Sequence, residues 1–212
     1  SRYQWRGLIL SDGPVFQPSI DFTYRGWSLN FWGSMELSDA NMYDDLGSGR
    51  NRFTEWDTTL TYSFEHLGNS FQIGYTYYDY PNTGFQSSNE VFAIWSREAE
   101  ITPYAEVFYD FDQVKGVYVR VGADKSWPVG NGSLTLGAAL GWGSQGYNES
   151  IFGTDRAALT DLGLSLTYEF PINDRSQFRV FACYQTLIGR DLRDSVERPS
   201  HFAFGVGYSV SF

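Results

Sequence analysis

The strongest constraint on the fold of this chain is an alternation of apolar and polar residues in its last segment, 201–212. Every second residue there is apolar, and the residues between them are small or polar. The apolar positions are Phe202, Phe204, Val206, Tyr208, Val210 and Phe212, and the others are His201, Ala203, Gly205, Gly207, Ser209 and Ser211. Because successive side chains of a β-strand point to opposite faces, this segment predicts a strand that separates an apolar environment from a wet one.

The same period of two recurs along the whole chain, whereas no stretch keeps the helical period of 3.6 residues. No run of 18 apolar residues occurs, so the sequence does not predict a membrane-spanning helix. No repeat, low-complexity tract or linker divides residues 1–212, so we expect a single all-β, antiparallel domain. The alternation predicts twelve strands, at 2–10, 14–24, 27–37, 53–64, 69–79, 90–98, 102–111, 116–127, 132–143, 158–170, 177–188 and 201–212.

The connections between these strands fall into two groups. Short turns with Gly, Asn or Asp are predicted at Arg25-Gly26, His66-Leu67-Gly68, Val129-Gly130-Asn131 and Ile172-Asn173-Asp174. Longer polar loops alternate with them, at 38–52, 80–89, 144–157 and 189–200. Short periplasmic turns on one side and longer extracellular loops on the other are typical of Gram-negative outer-membrane barrels.

Alternation alone does not say which face of the strands points outward, since a soluble lipocalin-like barrel or β-sandwich also alternates. The predicted strands have about 9–13 residues, which suits a tilted crossing of a bilayer. Aromatic residues, 18% of the chain, gather near both strand ends as in the girdles of membrane barrels. Phe212 is similar to the C-terminal aromatic signal of outer-membrane barrels. We therefore expect a transmembrane barrel of about twelve strands in the outer membrane, with its signal peptide removed.

The charges of the chain exclude one class of partner and suggest another. The net charge is −10 and the 15 basic residues are scattered, so nucleic acid is not an expected partner. On the polar parity of the strands, acids outnumber bases nine to three, which predicts a weak preference for cations in a conducting lumen. These groups could instead pair with each other across the lumen. The predicted lumen-lining residues are Arg6, Asp21, Glu36, Glu55, Asp57, Glu106, Asp110, Arg120, Asp124, Asp161, Glu169 and Arg179.

The sequence gives little support for catalysis. Ser200 and His201 are adjacent on the last strand, where their side chains would face opposite ways, so a nucleophile–base pair is not expected. The acids Asp39, Asp44 and Asp45 share the longest loop but lack the register of a calcium loop. A solvated loop, or a loop in contact with lipopolysaccharide through a bridging divalent ion, fits them better. We expect no cofactor, no resident metal and no enzymatic activity.

The N-terminal region resembles the first hairpins of the TorF-like porin family of Gram-negative outer-membrane barrels. The shared pattern is an S-x-Y-x-W-R-G strand, a short S-D turn and a G-x-W-x-S strand, over about 35 residues. The segments that carry it are Ser1–Gly7, Ser11–Pro14, Gln17–Ser19 and Tyr24–Ser34. The resemblance implies a porin, and it supplies no functional residues.

The leading functional prediction is a porin or channel for passive diffusion of small polar solutes, in contact with outer-membrane lipids and lipopolysaccharide. The alternative is a non-conducting structural barrel, such as a scaffold for another envelope protein. A surface lipid-modifying enzyme comes third.

Overall fold

A computed structural model of the chain describes residues 1–40 and 49–212. Asp44 and Asp45 of the longest predicted loop lie outside the described residues. The described part is mostly β-structure, with two short helices. Its strands are β1 (Tyr3–Trp5), β2 (Leu8–Ser11), β3 (Val15–Phe16), β4 (Ser19–Tyr24), β5 (Trp27–Glu36), β6 (Phe53–His66), β7 (Asn69–Asp79), β8 (Ser88–Ser96), β9 (Thr102–Asp110), β10 (Gly116–Val129), β11 (Gly132–Gly143), β12 (Ala158–Asn173), β13 (Ser176–Leu187) and β14 (Ser200–Val210).

Twelve of these strands form one antiparallel sheet in which chain neighbours are also sheet neighbours. The order runs from β14 back to β5, and both β3 and β4 pair with β5. The prediction of a twelve-stranded antiparallel sheet is therefore confirmed, but the strands that the start of the chain contributes to it differ from those predicted. The predicted strand 14–24 is interrupted before Pro18, which has no N–H to donate to a ladder.

The predicted strand 2–10 was wrong. Residues 3–11 instead fold into a separate two-stranded sheet, β1 paired with β2, which we call the N-terminal hairpin. Its turn is Arg6-Gly7, with positive φ angles of 44° and 86°. The predicted turn Arg25-Gly26 has nearly the same angles, 46° and 86°. Two successive positive φ angles match the right-handed twist of a hairpin, and the glycine accepts this conformation without a steric penalty.

The two helices, α1 (Gln145–Phe152) and α2 (Arg190–Asp194), lie in predicted long loops. The Ser144 side chain caps α1 by accepting from the Tyr147 backbone N–H, and Gly153 ends the helix with a φ of 67°. A small apolar core packs these helices against the sheet and the hairpin. Its buried members are Tyr118, Tyr147, Phe152, Leu187 and Leu192. We call the end of the strands where the longer connections emerge the loop end. The other end of the strands, where the short turns lie, is the turn end.

The two faces of the sheet have burial opposite to that of a water-soluble protein. The large apolar side chains are exposed: Phe202, Phe204 and Val206 are 64, 67 and 69% accessible. The alternate face, which we call the polar face, carries buried acids instead. Glu36, Glu55 and Asp161 on that face are only 1, 5 and 4% accessible. No helix in the described part of the chain is long and apolar enough to span a membrane.

The polar face is strongly curved around the N-terminal hairpin. The hairpin and the residues before it contact β5 near one edge of the sheet and β14 at the other. Ser1 donates from its amino group to the Phe204 carbonyl over 2.8 Å, and the Phe204 N–H donates to the Ser1 Oγ over 2.9 Å. Within residues 1–40 and 49–212, no hydrogen-bonded ladder joins the edge strands β4 and β14 to each other.

Candidate functional site: the polar face and the N-terminal hairpin

The N-terminal hairpin is held by hydrogen bonds to strands that are far apart in the sheet. Gly7 donates its backbone N–H to the Gln185 side chain on β13 over 3.1 Å. Cys183, also on β13, donates from its thiol to the Gln4 Oε1 over 3.0 Å. On the other side, the Ser11 hydroxyl donates to the carboxylate of Glu36 on β5 over 2.6 Å. The hairpin therefore occupies the space over the polar face at the loop end.

Arg6, at the turn of the hairpin, makes the central ionic contact of this region. Its guanidinium donates to both carboxylate oxygens of Glu90 on β8, over 2.8 and 2.9 Å. The two side chains are only 10 and 3% accessible. The guanidinium also lies over the rings of Trp5, Phe108 and Tyr118, with distances of 4.5, 4.2 and 4.8 Å to their centroids. A planar guanidinium suits both the two-oxygen contact and stacking on rings, so arginine fits here better than lysine.

A second buried carboxylate, Asp161 on β12, is satisfied by neutral donors. It accepts from the Tyr118 hydroxyl over 2.9 Å and from the Thr160 hydroxyl over 2.7 Å. Gly141 on the neighbouring strand makes room for this group, because a Cβ there would come within 2.2 Å of the Asp161 Oδ1. The room that this glycine leaves beside β11 is therefore filled by side chains of the neighbouring strands.

Asp110 and Glu36 are also buried, and each organises a connection at the loop end. Asp110 accepts from the Ser88 hydroxyl over 2.5 Å and from the backbone N–H groups of Asp112 and Val114. Glu36 accepts from Ser11 of the hairpin. These two acids therefore have structural partners.

The acids on β6 have fewer partners. Glu55 is buried and accepts from the Tyr3 hydroxyl of the hairpin, and no positively charged group of the described residues forms an ion pair with it. The Asp57 Oδ1 is buried and has no hydrogen-bond partner among the described residues. Arg6, at the turn of the hairpin, is already bound through two nitrogens to Glu90. Neither acid of this strand therefore has an ion-pair partner among the described residues.

The remaining predicted residues lie toward the turn end and are more accessible. Arg120 pairs with Glu106 on the adjacent strand at 3.7 Å, and Asp124 and Glu169 are partly buried. Asp21 and Arg179 are exposed. Asp21 accepts from the Asn30 side chain over 2.8 Å, and the Arg179 guanidinium lies 5.5 Å from the Phe181 ring. The polar face is therefore filled at the loop end and open to solvent toward the turn end.

Glu90 was missed by the sequence analysis although it is the partner of Arg6. The next residues on its side of β8 are Phe92 and Ile94, so the alternation there did not single out a polar face. The hairpin residues Tyr3 and Trp5 were missed because 2–10 was taken as one strand. One residue did indicate an apolar contact on the polar face. Trp32 is an aromatic residue among the polar positions of β5, and its ring centroid lies 5.5 Å from that of Tyr3.

Ser200 and His201 do not form a nucleophile–base pair. The Ser200 hydroxyl shares a hydrogen bond of 2.7 Å with the Thr186 hydroxyl. His201 is buried on the opposite face, and its ring nitrogens have no hydrogen-bond partner among the described residues. No group of three or more His, Cys, Asp or Glu in the described part of the chain is arranged to hold a metal ion.

Beside His201, Asp12 ties the chain start to the last loop by pairing with both Arg2 and Arg198. Burial alone would raise the pKa of Asp12, but the hydrogen bonds from the two guanidiniums outweigh it and lower the pKa below 3.8.

Comparison with known proteins adds no assignment, because no protein-family model and no curated protein matches this chain.

Proposed function

We propose that this chain is an outer-membrane β-barrel that passes small polar solutes, with a preference for cations, through an interior narrowed by its own N-terminal hairpin. The observation that carries the proposal is the reversed burial of the sheet, with acids inside and rows of large apolar side chains outside. Exposing so many apolar side chains to water would be unfavourable, whereas hydrocarbon is a suitable solvent for them.

The curvature of the sheet supports the barrel. The hairpin contacts β5, the strand next to edge strand β4, and Ser1 contacts the other edge strand, β14, which brings the two ends of the sheet toward each other. Closure between these two strands would satisfy their free backbone groups, which hydrocarbon cannot do. On this proposal the short turns face the periplasm and the loop end faces the outside.

The distribution of charge supports the solute class. Acids exceed bases among the predicted lumen-lining residues, and Glu55 and Asp57 form no ion pair with another described residue. A cleft lined by one sign of charge raises the local concentration of counter-ions. The resemblance to TorF-like porins agrees with this function and remains a prediction, as do contacts with lipopolysaccharide or another envelope protein.

A second candidate, a non-conducting structural barrel, is favoured by the position of the N-terminal hairpin. It fills the loop end and is fixed there by the buried Arg6–Glu90 pair. The two candidates differ in one measurable property, which is the passage of ions through the hairpin-filled interior.

The test is ion conductance of the purified chain in planar bilayers, with the reversal potential measured under a KCl gradient. The proposal expects stepwise conductance with K⁺ favoured over Cl⁻. A wild-type chain that is silent while Arg6→Gln conducts would support the non-conducting candidate and identify the hairpin as its closure. Silence of both chains, with β-structure verified by circular dichroism, would refute passage. Arg179→Gln is the matched control, because it removes an exposed arginine from the same face.

A further inference from the structure

A buried histidine, His201, lies near the loop end of β14 and is 4% accessible. Neither ring nitrogen makes a hydrogen bond of normal geometry with a described residue, although the ring approaches the Arg198 carbonyl. Its neighbour across the ladder, Gln185 on β13, instead accepts from the Gly7 N–H of the hairpin. Burying a polar group without a partner is unfavourable, so this position calls for an explanation.

The residues around this imidazole fasten the start of the chain to the wall. Ser1 lies on the free edge of β14, where its amino group donates to the Phe204 carbonyl and its Oγ accepts from the Phe204 N–H. The Arg2 guanidinium donates to a β14 carbonyl over 3.2 Å and to the Asp12 carboxylate. Arg198, from the loop before β14, binds the same carboxylate. We call Ser1, Arg2, Asp12 and Arg198 the N-terminal clasp.

The clasp offers no vacant acceptor to a protonated His201. The charged groups that act on this ring are Arg2 and Asp12, and Arg198 contributes its carbonyl. Both Asp12 oxygens already accept, Oδ1 from Arg2 and Oδ2 from Arg198. Glu197, beside Arg198, is exposed to solvent. A proton on the ring would therefore add a third cation around one carboxylate, where it repels the arginines or competes with them for Asp12.

We propose that His201 is a pH-dependent latch: its neutral ring permits the N-terminal clasp to close, and its protonation releases the start of the chain from β14. A state that accommodates only the neutral ring loses population as protons bind. With an ordinary histidine pKa of about 6.5, the released population rises up to about thirtyfold between about pH 7.5 and pH 5. The latch depends only on the described contacts, whereas an effect on conductance also rests on the proposed function.

The Phe204 amide reports the clasp directly, because its N–H donates to the Ser1 Oγ. The test is hydrogen exchange of this amide, by NMR on the full chain in detergent micelles at about pH 7.5, 6 and 5. Protection is the ratio of the intrinsic to the measured exchange rate at each pH. Wild type loses protection, up to about thirtyfold at the lowest pH. His201→Gln, which is neutral at every pH, shows no such loss.

The matched control is His66→Gln, because His66 is exposed and the chain has two histidines. This variant keeps the wild-type pH dependence, and it shows the imidazole signal of His201 alone. Protonation of His201 can therefore be followed directly, even if His201→Gln does not fold. The pairing of Asp12 does not interfere, since its lowered pKa places its titration below this pH range.

Phe204 protection that stays constant while His201 becomes protonated would overturn the latch. A ring that stays neutral down to about pH 5, or a wild-type pH dependence in His201→Gln, would also overturn it. Loss of protection in a chain that is silent in bilayers at every pH refutes the proposed function and leaves the latch intact. A conducting chain with constant Phe204 protection gives the opposite result.

Discussion

Replacing Arg6 by glutamine removes the cation that fixes the N-terminal hairpin and leaves Glu90 buried without its charged partner, with only the Tyr78 hydroxyl among the described residues still donating to it. The guanidinium–carboxylate contact has two hydrogen bonds of 2.8 and 2.9 Å and both side chains are largely shielded from water. Breaking a buried pair of this kind costs about 3–5 kcal/mol. At about 1.4 kcal/mol per factor of ten, the undocked fraction of the hairpin rises by two orders of magnitude or more.

The native thiol of Cys183 reports this undocking, because it is the single cysteine of the chain and donates to Gln4 of the hairpin. We expect a small cationic methanethiosulfonate reagent to label Cys183 at least about tenfold faster in Arg6→Gln than in wild type. The increase is smaller than that in the undocked population because the partly accessible thiol already reacts slowly in the docked state.

Two controls separate the ion pair from a general loss of stability. Arg179→Gln removes an exposed arginine and leaves the labelling rate unchanged. Arg6→Gln combined with Glu90→Gln restores a rate near that of wild type, because two neutral groups no longer leave a buried charge unpaired. The role of the Arg6–Glu90 pair would be refuted if Cys183 were labelled in Arg6→Gln at the wild-type rate. It would also be refuted if Arg179→Gln accelerated the labelling as much as Arg6→Gln does.

Two further predictions concern the loop end. Gly116→Ala lowers the free energy of unfolding in urea by about 1–3 kcal/mol, because the new Cβ would lie 2.3 Å from the backbone nitrogen of Tyr147 in α1. Gly163→Ala is the neutral control, because nothing lies within 4 Å of its added Cβ. Equal losses of stability in the two variants would contradict the packing of α1 against β10. The lowered pKa of Asp12 makes its pairing with Arg2 and Arg198 stabilising above the unfolded pKa and lost as the pH falls through the lower folded pKa. The difference in unfolding free energy between wild type and Asp12→Asn should thus be full at pH 7 and shrink as the pH falls below the ordinary pKa of an aspartate. A difference independent of pH would contradict this pairing.

Much of the fold follows from the sequence because a two-residue period constrains an antiparallel sheet strongly. The strands β5 to β14 lie close to their predicted positions, and turns such as Arg25-Gly26 and Leu67-Gly68 have the positive φ angles that their sequences predict. The turn of the hairpin repeats the same Arg-Gly pair at 6–7, but it was read as the middle of a strand. Comparison of the two dipeptides could have identified it.

The helices and the site were less accessible to sequence reasoning. The helices α1 and α2 have eight and five residues, too few to establish a helical period. The Arg6–Glu90 pair joins residues 84 positions apart, and such contacts depend on the tertiary fold. The bulge at Thr54 shifts one residue relative to the partner strand, so alternation by itself did not predict that Thr54 and Glu55 share a face.

Our proposal is that the apolar rows of the sheet face lipid and the polar face encloses the interior. It is tested most directly by a nitroxide scan of residues 202–209 in lipid bilayers, in a Cys183→Ser background, with oxygen and a water-soluble nickel chelate as relaxing agents. We expect nitroxides at positions 202, 204, 206 and 208 to be relaxed more strongly by oxygen than by the nickel chelate, and nitroxides at the alternate positions not to show this preference. Preference for the nickel chelate at the four apolar positions, or a chain that remains soluble without detergent, would contradict it.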